Sequence, residues 1–380
     1  MSAVSIEEQF ERLRSTPPDA LRALVLDDRM HDLVRACAVS LLPPEALDGV
    51  IHDIMTTGRS YSLVDEAALQ RPTALTPHLA YLWAMRVDND LDIEPRWWRG
   101  ADATEIDRLA AALRTPGRGY AHELAGRCLA ESRQPAAWAA LADSAEPEVD
   151  AWLAAAGARR DGDGVRSLVP PACYHLLFEA PAQARPRAPW LTRWHPTWAA
   201  GADPGLPTVT HGGLSDAICR LCAAPMRRLL LLDPVPAGLG VTSRARVDIA
   251  YCRACTGSER SAYRHDDAGR PTLVSNPTDA VAFQSKEERP AVTVRLAALG
   301  PRWAVQDWGL ANDTQNLNRL GGEPTWIERP DYAPCPTCGR LTTALAQLDW
   351  GCLEDTGGLT YVGWCDPCAT STLTHQHPYR

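Results

Sequence analysis

The chain has 380 residues, of which 45% are hydrophobic and 22% charged, with a formal net charge of −9. That length exceeds one ordinary core and predicts two or three domains, and the composition excludes a disordered or fibrous chain. The acidic start, "MSAVSIEEQFERLR", lacks the apolar core of a secretory signal. The most apolar run, "MRRLLLLDPVPAGLGV", is broken by Asp233 and two prolines, well short of the roughly 20 residues of a membrane span. A cytoplasmic protein with no membrane partner is expected.

Residues 1–165 are predicted to be helical. In "ATEIDRLAAALRTPG", Ile106, Leu109, Ala110 and Leu113 form one apolar stripe at i, i+3, i+4, i+7. Val149, Trp152, Leu153 and Ala156 repeat the pattern, and proline- or glycine-bearing breaks such as "STPPD", "LLPPE" and "RTPGRG" separate the segments. Short helices with short breaks predict stacked helical hairpins, HEAT-like in style. Residues 1–170 carry a net charge of −9 and residues 171–380 sum to zero, which argues against nucleic acid as a partner, since nothing forms a basic footprint.

Residues 166–210 are rich in Pro and Trp and are expected to be a connection, with "ACYHLLFEA" reading as a strand within it. From 211 to 380 the pattern is β-rich with turns. "RARVDIAY" and "GLTYVGW" are strand-like, and "DDAGRP", "LGG" and "DTGG" are turn signals. The predicted fold class is therefore α+β and multidomain, a helical repeat or bundle followed by a duplicated β-rich domain.

Two cysteine quartets carry the chemistry. Cys219-x2-Cys222 is followed after 29 residues by Cys252-x2-Cys255, and Cys335-x2-Cys338 after 26 residues by Cys365-x2-Cys368. A two-residue spacer lets both thiolates of a knuckle reach one ion at about 2.3 Å, and a second knuckle returned by a hairpin completes a tetrahedron, the zinc-ribbon arrangement. Four thiolates fill the shell and leave no position for water, so the spacing predicts two structural Zn2+ ions and not a hydrolytic centre. "WCDPC" looks like a thioredoxin pentapeptide, but only 12 residues follow Cys368, too few for that sheet. Cys37, Cys128, Cys173 and Cys352 read as buried small hydrophobes. The quartets also match outside their cysteines. An Asp lies 11 positions past each second Cys (Asp233, Asp349), and a Gly-Gly precedes each first knuckle (Gly212–Gly213, Gly321–Gly322). An internal duplication is expected, with the two aspartates ending equivalent strands. A Cys173–His175 dyad and terminal ligands His375 and His377 are weaker readings with no orienting third group.

The segment "NRLGGEPTWIERPDYAPCPTCGRLTTALAQLD…GGLTYVGWCDPC" resembles the C-terminal signature of the YwqG-like bacterial domain-of-unknown-function family. Gly321, Gly322, Pro324, Trp326, Ile327, Cys335, Pro336, Cys338, Gly339, Ala346, Gln347, Leu348, Asp349, Cys365 and Cys368 carry the match, and Glu328 departs from the family's usual Gln. The earlier "HGGLSDAICRLC…IAYCRAC" is similar to the family's first half, so the resemblance covers about residues 172–380. It implies a mixed, largely β domain and, through toxin and immunity gene neighbourhoods of some members, a protein-binding role as an immunity or regulatory factor. Trp308, Gly321, Gly322, Trp326 and Gln347 are the candidate binding surface. The alternative expectation is an enzyme of unknown reaction with a cleft between the duplicated halves near these same residues. Binding is favoured over catalysis, because no known catalytic motif is present and Trp with Arg is the composition of interaction hot spots.

Overall fold

The computed structural model describes residues 4–58, 63–87, 94–115, 119–162, 164–178, 195–252, 255, 260–274, 290–311, 314–349 and 357–378. The chain forms two compact units, Met1–Ser167 with Pro189–Pro196, and Leu168–Ala188 with Thr197–Arg380.

The first unit is helical, with α1 Ile6–Ser15, α2 Pro18–Val25, α3 Asp32–Leu41, α4 Pro44–Thr57, α5 Val64–Gln70, α6 Leu79–Val87, α7 Ala103–Arg114, α8 Tyr120–Ser132, α9 Pro135–Ala142 and α10 Val149–Ala155. Local signals set the boundaries. Ser5 and Glu8 form a reciprocal capping box on α1, Asp102 caps α7 through the Glu105 amide, and prolines open α2, α4 and α9 where a missing N–H costs nothing. The stripe Ile106, Leu109, Ala110 and Leu113 is the buried face of α7. Successive helices pack on each other, α2 on α3, α7 on α8, and α8 on both α9 and α10. A small antiparallel hairpin, β1 Ala158–Asp161 and β2 Gly164–Ser167, ends the unit. Among the described residues no helix is long and apolar enough to cross a membrane.

The second unit is one large antiparallel sheet curled into a near-barrel. Its strands are β3 Cys173–Leu177, β4 Val209–His211, β5 Leu214–Ile218, β6 Pro225–Leu232, β7 Val247–Tyr251, β8 Arg260–His265, β9 Pro271–Leu273, β10 Val292–Ala297, β11 Arg319–Gly321, β12 Thr343–Asp349, β13 Leu359–Cys365 and β14 Thr370–Gln376. β4 and β5 lie along one side of β6, and β7 lies on the other; the order then runs β4, β10, β3, β11, β12, β13, β14, β8, β9. The loop before β9 approaches β7, where the Asp248 amide donates to the Gly269 carbonyl at 2.9 Å. β3 sits between β10 and β11, in the middle of the sheet, although it falls within the stretch read from sequence as a connection.

Pairing is the same in two places. His211 on β4 faces Leu230 on β6, and Leu320 on β11 faces Ala346 on β12. β6 pairs β7 with a bulge between Arg228 and Leu230, and β12 pairs β13 with a bulge between Ala344 and Ala346. Counted from Asp233 and Asp349, these bulges fall at the same position. β10 flanks β4 as β3 flanks β11, and β3 and β10 pair with each other, with Arg295 opposite Leu177. Each Gly-Gly follows or ends its short strand with left-handed backbone at both residues, φ +77° and +73° at 212–213 and +64° and +70° at 321–322. A Cβ on Gly321 would lie 2.1 Å from the Ala172 carbonyl oxygen, so glycine is required twice over there.

The core draws on both pairs of strands. Leu230, Val247 and Ile249 pack in one cluster with Leu320, Leu348, Val362, Trp364 and Leu373. A second cluster joins Leu168, Leu317, Trp326, Tyr332 and Tyr361. His265 is 1% exposed in the main core, with Nε2 2.9 Å from Ser371 Oγ and Nδ1 3.2 Å from the Gly269 carbonyl. Burial pushes its pKa down to about 4. The native state thus binds this proton more weakly than the unfolded chain, and the stabilisation is complete above the unfolded value near 6.5 and is lost as pH falls towards 4. The expected slope from this residue is about 1.4 kcal/mol per pH unit across that window. Urea melts at stepped pH should show His265→Gln with a shallower acid limb than the parent chain; identical limbs would contradict the assignment.

Candidate metal centres

Each quartet is assembled from two knuckles on the same structural parts. The first knuckle lies in the turn entering β6 or β12, and the second at the end of β7 or β13. In the first turn the Cys219 amide donates to the Ala224 carbonyl and the Ala223 amide to the Cys219 carbonyl, both at 2.9 Å. In the second the Cys335 amide donates to the Arg340 carbonyl and the Gly339 amide to the Cys335 carbonyl, both at 2.8 Å. The residue after the second cysteine must be left-handed to close this turn. Gly339 takes φ +74° without strain, whereas Ala223 is held at φ +59° against the repulsion of its own Cβ.

The thiols of Cys219, Cys222, Cys252 and Cys255 lie within 4.8 Å of one another, as do those of Cys335, Cys338, Cys365 and Cys368. Cys222 and Cys252 are 3.4 Å apart at sulfur, and Cys338 and Cys365 3.6 Å. Those separations are far beyond a disulfide's roughly 2.05 Å, and all eight cysteines are free. They are close to the about 3.8 Å between sulfurs of a tetrahedron with 2.3 Å metal bonds, so the donor set fits a four-thiolate metal ion. In both quartets the first and third cysteines are buried, the second is exposed and the fourth is half-buried. Backbone N–H donors favour the thiolate. The Ala224 amide, with neighbouring thiols, draws Cys222 down to about 7, and the Arg340 amide is the largest influence drawing Cys338 to about 7.

The Asp of "WCDPC" has a role that its sequence context does not reveal. Asp366 accepts from the backbone amides of Thr242 (2.8 Å) and Ser243 (2.9 Å), from Ser243 Oγ (2.9 Å), from Thr242 Oγ1 and from Trp364 Nε1 (2.9 Å). Burial alone would raise its pKa, but these donors outweigh it and hold the carboxyl well below the usual range. The second quartet is thereby tied to the loop between β6 and β7, which leads to the first.

The residues expected to form a binding surface sit inside the unit. Gly321 and Gly322 are backbone junctions, and an added Cβ on Gly322 would meet Cys173 Sγ at 2.8 Å. Trp326 is buried, with its ring centroid 4.2 Å from that of Tyr361 and 5.2 Å from that of Tyr332. Gln347, 2% exposed, accepts from the Thr325 amide at 2.7 Å and donates to the Leu317 carbonyl at 2.9 Å. Trp308 packs, half-buried, against the second cluster. The cavity beside Trp326 and Tyr361 measures about 20 Å³, room for about one water. Sequence reasoning missed Arg319, which is fully buried and donates to Gln306 Oε1, the Glu323 carbonyl and Thr325 Oγ1.

The other candidates also separate. Asp349 is buried and its amide donates to Asn318 Oδ1, whereas Asp233 is exposed and pairs with Arg246 at 3.3 Å. Burial raises the thiols of Cys37 (to about 12), Cys128 and Cys173, which makes them poor nucleophiles. Beside Cys173, His175 is fully buried in β3. His375 Nδ1 lies 2.9 Å from Thr360 Oγ1 and His377 Nδ1 3.0 Å from the Gly357 carbonyl. Cys352 lies outside the described residues.

Two substitutions separate metal from packing. Ala223→Gly removes left-handed strain and is expected to stabilise the β unit by about 1 kcal/mol in denaturant melts. Cys335→Ser is expected to cost more than about 3 kcal/mol and to abolish the cooperative transition of the β unit, against about 1 kcal/mol for Cys37→Ala. Equal losses in the two cysteine variants would contradict a metal role. No protein-family model and no solved structure matches the chain. One curated relative, an uncharacterized protein YpfL of Salmonella typhimurium strain LT2, is 26% identical over 165 residues, and the match spans 42% of this chain and 38% of that protein's length.

Proposed function

We propose that the chain is a zinc-stabilised protein-interaction protein of the bacterial cytoplasm, acting as an immunity or regulatory factor in a toxin context. In this reading Cys219, Cys222, Cys252 and Cys255 hold one Zn2+, and Cys335, Cys338, Cys365 and Cys368 a second. Bound zinc supplies cross-linking and no reaction, because four thiolates complete its shell and spread negative charge onto it. The matched pairing registers and bulges support an internal duplication, each half being a zinc-ribbon-like element elaborated into the shared sheet. The helical unit, with its short capped helices, serves as a HEAT-like platform whose negative charge selects a basic partner. The toxin context rests on the resemblance to the YwqG-like family.

One observation carries the choice of binding over catalysis. The alternative reading, an enzyme with a cleft between the halves, needs open space near Trp326 and Gln347, and there the structure holds buried, internally bonded side chains and a water-sized cavity. Catalysis at that place would need a pocket of about 300 Å³ or more.

Affinity capture with the full-length chain against each protein encoded beside its gene tests the proposal. A purified neighbour should form a stoichiometric complex by size-exclusion chromatography, weakened several-fold on raising salt from 50 to 500 mM. Absence of binding to every neighbour, together with turnover of a small-molecule library member, would favour the enzyme.

A further inference from the structure

Within the helical unit, α8, α10 and the turn preceding α10 enclose a cleft of about 580 Å³. Its polar lining is His122, Glu123, Arg127, Glu146 and Glu148, and Trp152 forms an apolar wall. The cleft is built into the packing. Trp152 is 6% exposed and lies across α8 at Gly126, where any Cβ would sit 2.2 Å from the indole ring. The His122 ring meets Trp152 edge-on, with centroids 6.1 Å apart.

His122 supplies an independent reason to expect a ligand. Its side chain is 11% exposed, and neither ring nitrogen makes a hydrogen bond within the protein, although Nε2 is 3.5 Å from Glu146 Oε2. A buried imidazole without hydrogen bonds is costly, and a site that keeps one usually bonds it to something that binds there. A neutral imidazole offers a lone pair, and Glu123, Glu146 and Glu148 offer carboxylate oxygens, opposed by the single guanidinium of Arg127. The lining is thus rich in acceptors and net negative, which repels phosphates and nucleotides. It is not a metal site either, because among the described residues only the cysteine quartets bring three or more ligand atoms within 4.8 Å. A guanidinium or ammonium group satisfies the acceptors, and the wall of Trp152 accommodates its alkyl stem.

We infer that this cleft seats an arginine or lysine side chain of a partner protein. The volume admits the side chain with its flanking backbone, and the charge complements the basic partner of the protein-interaction reading, on which this inference rests.

Fluorescence anisotropy with a labelled arginine–glycine decapeptide, titrated with the full-length chain at 150 mM salt, tests it. The peptide should bind, the citrulline–glycine analogue should bind at least tenfold more weakly, and free arginine at millimolar concentration should compete only partially. Glu146→Gln/Glu148→Gln should lower affinity at least tenfold. Asp19→Asn/Glu45→Gln, which removes the same charge from exposed sites elsewhere on the unit, should lower it less than twofold. No binding, equal binding of the citrulline analogue, or equal loss in the two double variants would overturn the inference. Complete displacement by free arginine would identify a small-molecule site and overturn the assignment to a protein side chain. A partner captured equally well by the parent chain and by Glu146→Gln/Glu148→Gln would sink the cleft while leaving the interaction reading intact.

Discussion

The β unit depends on eight sulfurs brought together in two groups. Its twelve strands are joined by pairings distant in sequence, such as β3 with β10 and β14 with β8, and such pairings incur loop-closure entropy before any contact rewards them. Each quartet lies where a turn and a strand end meet, so one ion bound there closes a loop and fixes the β6–β7 or β12–β13 register together. Without an ion, four thiols packed within 4.8 Å have little reason to stay together once any of them ionises, and the exposed Cys222 and Cys338 are drawn towards ionisation near neutral pH.

The same backbone constraint is met with different side chains in the two places where it occurs. Gly339 closes one knuckle turn and Ala223 the other. Opposite Leu231 on β6 stands Asp248, fully buried, taking two hydrogen bonds from Arg228 and one from Ser215. Opposite Gln347, at the matching place on β12, stands Tyr361, whose hydroxyl donates to the Thr325 carbonyl. One position therefore holds a buried ion pair and the other an aromatic stack. A buried pair of this kind contributes more to specificity of register than to net stability, and the bidentate Arg228 would be left uncompensated by any slip of β7 against β6.

Much of the site was legible because its signal is local. Cys-x2-Cys spacing reports directly on a knuckle, and strand-like runs ahead of Cys252 and Cys365 place the second knuckles. The helical periodicity of α7 was readable for the same reason. The candidate binding residues were harder. β12 is buried on both faces, so no alternation distinguished Gln347 from a surface position. The Gly321–Gly322 pair could signal close approach of a ligand or of the chain's own backbone, and here it is the Ala172 carbonyl. Arg319 reads as an exposed strand residue until the sheet is assembled around it. The helical cleft was invisible because His122 and Glu146 are 24 positions apart and meet only when α8 packs on α10.

The central claim is that metal, and not covalent sulfur or packing alone, holds both quartets. Native mass spectrometry of the freshly purified full-length chain tests it most directly. The account predicts a mass exceeding the apo polypeptide by two zinc ions, with both lost together with the folded charge-state envelope on acidification. A folded chain carrying no metal, or a mass reduced by the hydrogens of quartet disulfides, would contradict it.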